Sequence, residues 1–475
     1  VDLRVHILGI GGTAMSAVAG LFRQAGCEVR GSDQARPYPP VGDLLDRLGI
    51  PVMHPYAPEN LLWAPDLVVV GNVIRRTNPE ALALLESGLP YDSFPEALRR
   101  HFLKDRMPVV IAGTHGKTTT SSLVAHLLAA QGLDPSFLIG GLPRNFGTNH
   151  HLGQGRHFVL EGDEYDTAFF DKTPKFLHYA PQAAVLNNIE FDHADIFADL
   201  EAVRSAFASF VELLPRGQPL LVPEADENVR EVLRRTGARG ISFGIEQGTW
   251  HCEDLQWEQG RPRFRLVRQE TPVGVFELPM IGRQNLHNAV GALALLHEID
   301  AAGPRLSHAL ASFQGVRKRQ EVRGVAAGVT VIEDFAHHPT AVRETLQAVR
   351  GAWPGGRLVA LFEVESNTSR RRVFQQDYVA AFRKADEVFF CRPYDKPDQL
   401  PEDQKIDMDR LCRDLEEAGV PAHLIPDVDD LAREAAARVG PGDVLLAMSG
   451  RDFHGIHDRL LSRLRERESG GDAGG

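Results

Sequence analysis

Val109-Val110-Ile111-Ala112-Gly113-Thr114-His115-Gly116-Lys117-Thr118-Thr119-Thr120 carries an apolar, strand-like run into a turn rich in glycine and threonine, and a helical period follows through Leu128. This order is that of a phosphate cradle. Glycines let backbone N–H groups close around phosphate oxygens, the helix N-terminus adds favourable partial charge, Lys117 reaches the terminal phosphates, and the Thr118 hydroxyl can sit on Mg²⁺. The strict pattern has a glycine five residues before Gly116, where this chain has Ile111, so the loop is a shortened variant. Taken alone, the same residues also describe a plain turn before an ordinary helix. Gly113, Thr114, His115, Gly116, Lys117, Thr118 and Thr119 are the candidate nucleotide-binding residues.

A nucleotide site needs an acidic metal partner, and Phe158-Val159-Leu160-Glu161-Gly162-Asp163-Glu164 ends an apolar strand in carboxylates. Glu161 is the candidate ligand. As a bare pattern it is a solvated acidic turn, and it gains meaning only beside the phosphate loop. Val185-Leu186-Asn187-Asn188-Ile189-Glu190-Phe191-Asp192-His193 brings polar groups to another strand end, where His193 can bind a second divalent ion. Near the start, Gly9-Ile10-Gly11-Gly12-Thr13-Ala14 forms a GxGxxA turn, with Ser32-Asp33 at the end of the next strand. On these residues alone an NAD-linked dehydrogenase competes, with Asp33 as its ribose-binding acid. The turn says that a diphosphate can dock there, not which one.

At 475 residues the chain exceeds one compact core and points to about three domains. With 43% hydrophobic and 24% charged residues it reads as a soluble globular protein, and no apolar run approaches the ~20 residues that span a bilayer. Val1-Asp2-Leu3-Arg4 leads straight into an apolar run without the basic and long apolar regions of a secretory leader. Cys27, Cys252, Cys391 and Cys412 lie far apart, which argues against a disulfide framework and fits a cytoplasmic location. A net charge of −12 gives little long-range attraction for nucleic acid or an anionic membrane, so anionic ligands must be held locally. Only 8 of the 52 basic residues are lysine, and Lys117 is one of them.

The pattern predicts an α/β fold of three domains: N-terminal Rossmann-like, central P-loop ATPase-like and mixed, C-terminal Rossmann-like. Strands at 5–8, 27–31 and 67–70, with a helix over 13–24, give the first domain its βαβ rhythm, and a pause at 104–108 precedes the restart at Val109. Strands at 157–161 and 183–189 and a β-meander over 249–281 fill the centre. A third restart at 329–332 leads to strands at 358–362, 387–391 and 444–448. The expected boundaries are 1–106, 107–324 and 325–467, with 468–475 a disordered tail.

The set Gly113 to Thr119, Glu161-Gly162-Asp163-Glu164, Asn188-Ile189-Glu190-Phe191-Asp192-His193, Gly282-Arg283-Gln284-Asn285-Leu286-His287-Asn288 and Asp334-Phe335-Ala336-His337-His338-Pro339 closely resembles the Mur ligases of peptidoglycan metabolism, in order and spacing across essentially the whole chain. Gly140-Gly141-Leu142-Pro143-Arg144-Asn145-Phe146, Glu164 to Lys172, His193 to Phe197 and Ser366-Asn367-Thr368 bring the match nearest to the branch that joins UDP-N-acetylmuramate to L-alanyl-γ-D-glutamyl-meso-diaminopimelate. The branch that adds free L-alanine is the alternative. The resemblance implies that Lys117 binds ATP phosphates, that Thr118 and Glu161 hold one Mg²⁺, and that His193 helps hold another. It further implies that Asn285 and Asn288 face the adenine, Asp334 and His337 lie at the nucleotide with Arg319 on its phosphates, and Gly11, Gly12, Ser32, Asp33 and Asn72 hold the UDP-sugar rather than NAD. A regulatory ATP-binding module is a remote alternative. The resemblance leaves the oligomeric state open.

Two departures stand out. The family often has histidine where this chain has Gln284, and relatives with a carbamylated lysine place it where residues 194–216 contain no lysine. His337-His338 then reads as a nucleotide-contacting hinge rather than a zinc pair, and His150-His151 as loop. Arg370-Arg371-Arg372 reads as a solvated charge run or as an anion site for the carboxylates of an incoming peptide.

Overall fold

The computed structural model describes residues 3–37, 41–391 and 400–471. In the first domain β1 (Arg4–Leu8), α1 (Thr13–Gln24) and β2 (Glu28–Ser32) form the expected βαβ unit, with β1 and β2 parallel from Arg4↔Glu28 onward. Five strands line up as Val52–Met53, β2, β1, Leu67–Val70 and Tyr91–Ser93. β1 buries Val5 to Leu8 because helices cover both faces of a parallel sheet, and it reads as an apolar run broken only by His6, whose ring pairs with Glu80.

The central sheet is larger. Among its ten strands are β3 (Met107–Ala112), β4 (His157–Gly162) and β5 (Ala183–Leu186), with α2 (Lys117–Ala130) following β3 directly. β5, β3 and β4 are parallel neighbours, registered Leu186↔Ala112 and Ala112↔Gly162, so their C-terminal ends open on one edge, where ligands of such sheets collect. The meander Trp250–Glu258, Arg261–Arg268 and Thr271–Glu277 extends the sheet antiparallel on one side. Behind it, α3 (Arg283–Glu298) carries a nearly continuous buried face from Leu286 to Leu296.

In the third sheet β6 (Glu321–Ala326) pairs antiparallel with β7 (Val329–Asp334), and Val444–Met448, β8 (Leu358–Glu363), Glu387–Cys391 and Ala422–Ile425 follow in parallel. α4 (Pro339–Ala352) leaves β7 through a capped turn in which the His338 ring accepts from the Thr340 N–H. The chain ends in α5 (Ile456–Gly471).

Four expectations change. A boundary after 324 would cut β6, which belongs to the third sheet through its hairpin with β7; Ala327 and Gly328, both at positive φ (49° and 70°), make the tight turn. The disordered tail does not begin at 468, since α5 continues to Gly471, anchored by buried Leu460, Leu461 and Leu464 and by Arg467 on the Ala436 and Val439 carbonyls. Residues 472–475 lie outside the described residues. β5 stops at Leu186, short of 189, because Asn187 and Asn188 turn to brace the phosphate loop. His150–His151 is a short strand against Ser136–Leu138 rather than loop.

That short strand docks the first domain on the second. Asn149 donates to the Thr13 carbonyl at 3.2 Å and the Leu152 N–H to Gln24 at 2.8 Å, while the buried His150 ring lies against Gly20 of α1. A Cβ at Gly20 would lie 2.0 Å from His150 Nε2. Gly20→Ala should therefore cost about 1–3 kcal/mol in a thermal melt, despite alanine's higher helix propensity. Adding His150→Ala to the same chain should recover most of that loss, and a Gly20→Ala protein that melts at or above the parent temperature would refute the contact.

Candidate active site

A cleft of about 2450 Å³ runs across all three domains, with Gly11, Gly12 and Asp33 on one wall, the phosphate loop, Glu161 and His193 in the middle, and Asp334 and His337 opposite. The loop is built by its glycines: Gly113 and Gly116 take φ of 129° and 79°, and a Cβ on Gly116 would lie 2.6 Å from the Asn288 amide oxygen. Two asparagines behind it hold its shape. Asn188 accepts from the His115 N–H at 2.7 Å, and Asn187 donates to the His115 carbonyl and to Thr120.

Lys117 folds back over the loop. Its ammonium donates to the Gly113 carbonyl at 2.7 Å and to Glu164 at 2.8 Å. Burial pushes this ammonium down, but Glu164 and Asp163 more than offset it and the net shift is upward, so Lys117 stays charged. Glu161 accepts from the Gly140 N–H at 2.8 Å and from the Thr118 hydroxyl at 3.2 Å. Burial dominates there and raises the Glu161 carboxyl. Asp163 goes the other way, because Lys175 at 2.7 Å and Lys117 overcome burial and bring it down to about 2.

His193, at positive φ (55°), meets Glu164 through Nε2 at 3.1 Å and the Tyr165 hydroxyl through Nδ1 at 2.6 Å. Burial lowers its basicity, yet the bond to Glu164 and the Asp192 charge raise the net value. Glu190 joins two domains, with His115 of the loop at 3.4 Å and the Thr340 hydroxyl of α4 donating at 2.6 Å. Burial alone would raise its carboxyl; the bond to His115, the His115 charge and Thr340 bring it to about 2.

The remaining predicted residues fall into two groups. Asn285, Asn288, Arg319, Asp334 and His337 all line the cleft. Asn285 donates to Gln320 at 2.8 Å, Asp334 accepts from the Gln320 and Ala336 N–H groups, and Arg319 stacks on Phe335 at 4.8 Å. Ser32 and Asn72 are not among the cleft's lining residues. Ser32 is fully buried and donates to Glu80, which also pairs with His6, so its place at a strand end serves the core rather than the surface. Asn72 is exposed and not part of the cleft walls, although its neighbour Val73 lines them. Asp33 does reach the cleft but holds the glycine turn together, accepting from the Gly11 N–H at 2.7 Å and the Tyr56 hydroxyl at 3.1 Å. Glu164, Tyr165 and Asn187 lie inside the quoted stretches but carry no assigned role there, and Gln320 has no signal beyond its place next to Arg319.

Three sequence families match end to end: the Mur ligase family catalytic domain over residues 4–106, the Mur ligase middle domain over 111–296, and the Mur ligase glutamate ligase domain over 318–451. The chain belongs to the Mur ligase family. It is 41% identical to the UDP-N-acetylmuramate:L-alanyl-γ-D-glutamyl-meso-2,6-diaminoheptandioate ligase of Escherichia coli K12, over 98% of this chain and 99% of that one. Identity to the UDP-N-acetylmuramate:L-alanine ligase of Anaeromyxobacter dehalogenans is 34%, over 97% and 98%. The crystal structure of a murein peptide ligase from Psychrobacter arcticus matches with a TM-score of 0.74 at 31% identity, covering 98% of this chain and 99% of that one. As a Mur ligase the chain is an ATP-dependent amide ligase with the family's three-domain mixed α/β fold, and the dehydrogenase reading of the first glycine turn falls away.

The carboxylates at this site make stability depend on acid. Asp163 and Glu190 sit near 2 when folded, below the usual carboxylate range near 4, so their contribution is present above about pH 4 and is lost as the pH falls towards 2. Denaturant melts of Glu190→Gln should show a shallower loss of stability than the parent across that window; parallel curves would contradict the pairing with His115.

Proposed function

We propose that this Mur ligase joins the lactyl carboxylate of UDP-N-acetylmuramate to the free α-amine of L-alanyl-γ-D-glutamyl-meso-diaminopimelate, turning ATP into ADP and phosphate, in the cytoplasmic recycling of peptidoglycan. The observation that carries the reading is the full-length likeness to the tripeptide-adding ligase, which exceeds that to the alanine-adding one. Among the described residues, no helix is long and apolar enough to cross a membrane.

A carboxylate is a poor electrophile until one oxygen becomes a good leaving group. In this reading the lactyl carboxylate attacks the γ-phosphate of ATP in line, and ADP departs, leaving an acyl phosphate. The peptide amine then attacks the acyl carbon, a proton leaves the nitrogen, and the tetrahedral intermediate expels phosphate. Lys117 exchanges its bond to Glu164 for the transferring phosphoryl oxygens, and the N–H groups of the loop hold the β-phosphate. Arg319, Asn285 and Asp334 line the same cleft; in this reading Arg319 meets the phosphates and Asn285 and Asp334 the nucleoside.

The donor chemistry fits Mg²⁺. The Thr118 hydroxyl and the Glu161 carboxylate are hard oxygen donors 3.2 Å apart, and Glu161 is a half-buried acid with no cation bonded to it among the described residues. These two residues would hold the ion, with His193 beside them for a second. Bound there, Mg²⁺ supplies neutralising charge to the phosphates. Both ring nitrogens of His193 are engaged here, so its service to an ion requires release from Glu164.

ADP release from ATP, Mg²⁺ and UDP-N-acetylmuramate, compared with tripeptide and with L-alanine as acceptor, tests the reading. Turnover with the tripeptide is expected; turnover with L-alanine alone would move the chain to the biosynthetic branch. Lys117→Ala should lower acyl-phosphate formation, trapped as the hydroxamate, by about 10²-fold or more while UDP-N-acetylmuramate still binds. Unchanged trapping would remove Lys117 from the phosphoryl transfer.

A further inference from the structure

A second cavity, of about 390 Å³, lies on the seam between the central and C-terminal domains and is lined by Asp195, Asn367, Arg370, Arg371 and Gln404, with Leu400 and Pro401. It adjoins the main cleft, since Ser366 lines the cleft and the next residue, Asn367, lines this cavity. Its two signs of charge are arranged differently. Asp195, from the loop that carries His193, is held by the Asn367 amide at 2.8 Å. Arg371 is half-buried, and its Nε is shielded from solvent without a hydrogen-bond partner among the described residues. A shielded guanidinium N–H that no protein group satisfies is uncommon, and its natural complement is a carboxylate, whose two oxygens accept the two bonds that the planar fork donates.

A cavity lined by a guanidinium with one unpaired N–H and by a fixed carboxylate is complementary to a zwitterion. We propose that this cavity binds the distal amino-acid end of the acceptor peptide, Arg371 taking its carboxylate and Asp195 its ammonium. The assignment rests on the tripeptide reading above, whose diaminopimelate carries such an end far from the reacting amine. It gives that reading a physical basis for selectivity. Free L-alanine has one amine, which must lie at the acyl carbon, so it cannot also fill the cavity. A tripeptide ending in lysine brings the ammonium without the carboxylate.

Steady-state kinetics on the full chain separate the possibilities, using as acceptors the diaminopimelate tripeptide and the same peptide ending in L-lysine. Arg371→Gln should raise KM for the diaminopimelate peptide by roughly 10–100-fold, while kcat and the KM values for ATP and UDP-N-acetylmuramate stay within about twofold of the parent. KM for the lysine peptide should not move, because that ligand has no carboxylate beside its side-chain ammonium for Arg371 to hold. Asp195→Asn should raise KM for both peptides. An equal effect of Arg371→Gln on both acceptors, or none on either, would overturn the assignment while leaving the tripeptide reading intact. A parent enzyme that does not use the tripeptide at all would overturn both. If Arg371→Gln fails to fold, Arg371→Lys keeps the charge without the fork, and the same selective rise in KM, smaller in size, is expected.

Discussion

Three acids, Glu161, Asp163 and Glu164, crowd the end of β4, and the architecture around them is organised by the need to compensate that charge. A parallel sheet brings its strand ends to one edge, so the acids of β4 face the phosphate loop that follows β3. Carboxylates removed from water are costly unless cations and N–H groups replace the lost solvation. Lys117 pairs with Glu164, Lys175 with Asp163, and His193 closes over Glu164 from the loop after β5, on the far side of β3. Of the three, Glu161 has no cation bonded to it among the described residues and relies on the Gly140 N–H and Thr118. The free site is thus a set of charge pairs waiting to be exchanged. A polyphosphate with its counter-cations can take Lys117 and still leave the acids compensated, whereas a bare anion would leave Glu164 without its lysine.

Much of this was legible in the sequence because the chemistry is local. A phosphate loop is one contiguous turn, and the apolar run before it and the helix after it are visible as patterns, so the βαβ units and α1 fall where the periodicity puts them. What the pattern missed depends on contacts distant in sequence. Nothing local tells that Ser32 will spend its hydroxyl on Glu80, 48 residues away, or that Thr340 will reach back 150 residues to Glu190. The hairpin of β6 and β7 was obscured because β6 is an edge strand, with Val322 and Val325 exposed, and lacks the clean alternation of a half-buried strand. His150 read as loop for a related reason: its value lies in the face of α1 it meets, and only Gly20, the residue without a side chain, lets it in.

The segment after β5 ties the separate parts together. Within six residues, Glu190 holds His115 of the phosphate loop and Thr340 of α4, the Phe191 carbonyl accepts from His338, and Asp192 accepts from Thr368. His193 then pairs with the acid that holds Lys117, and Asp195 forms a wall of the second cavity. A backbone this short cannot let its side chains move independently. Drawing Lys117 away from Glu164 leaves His193 as that acid's remaining cation, and any shift of His193 is passed within two residues to Asp195. In the other direction, Asp195 is held by Asn367, so the proposed ammonium would compete with a contact between the central and C-terminal domains. On the proposed assignments nucleotide and acceptor would meet at opposite ends of one loop, which is the arrangement a two-step reaction needs if its activated carboxyl is to form with the amine already in place.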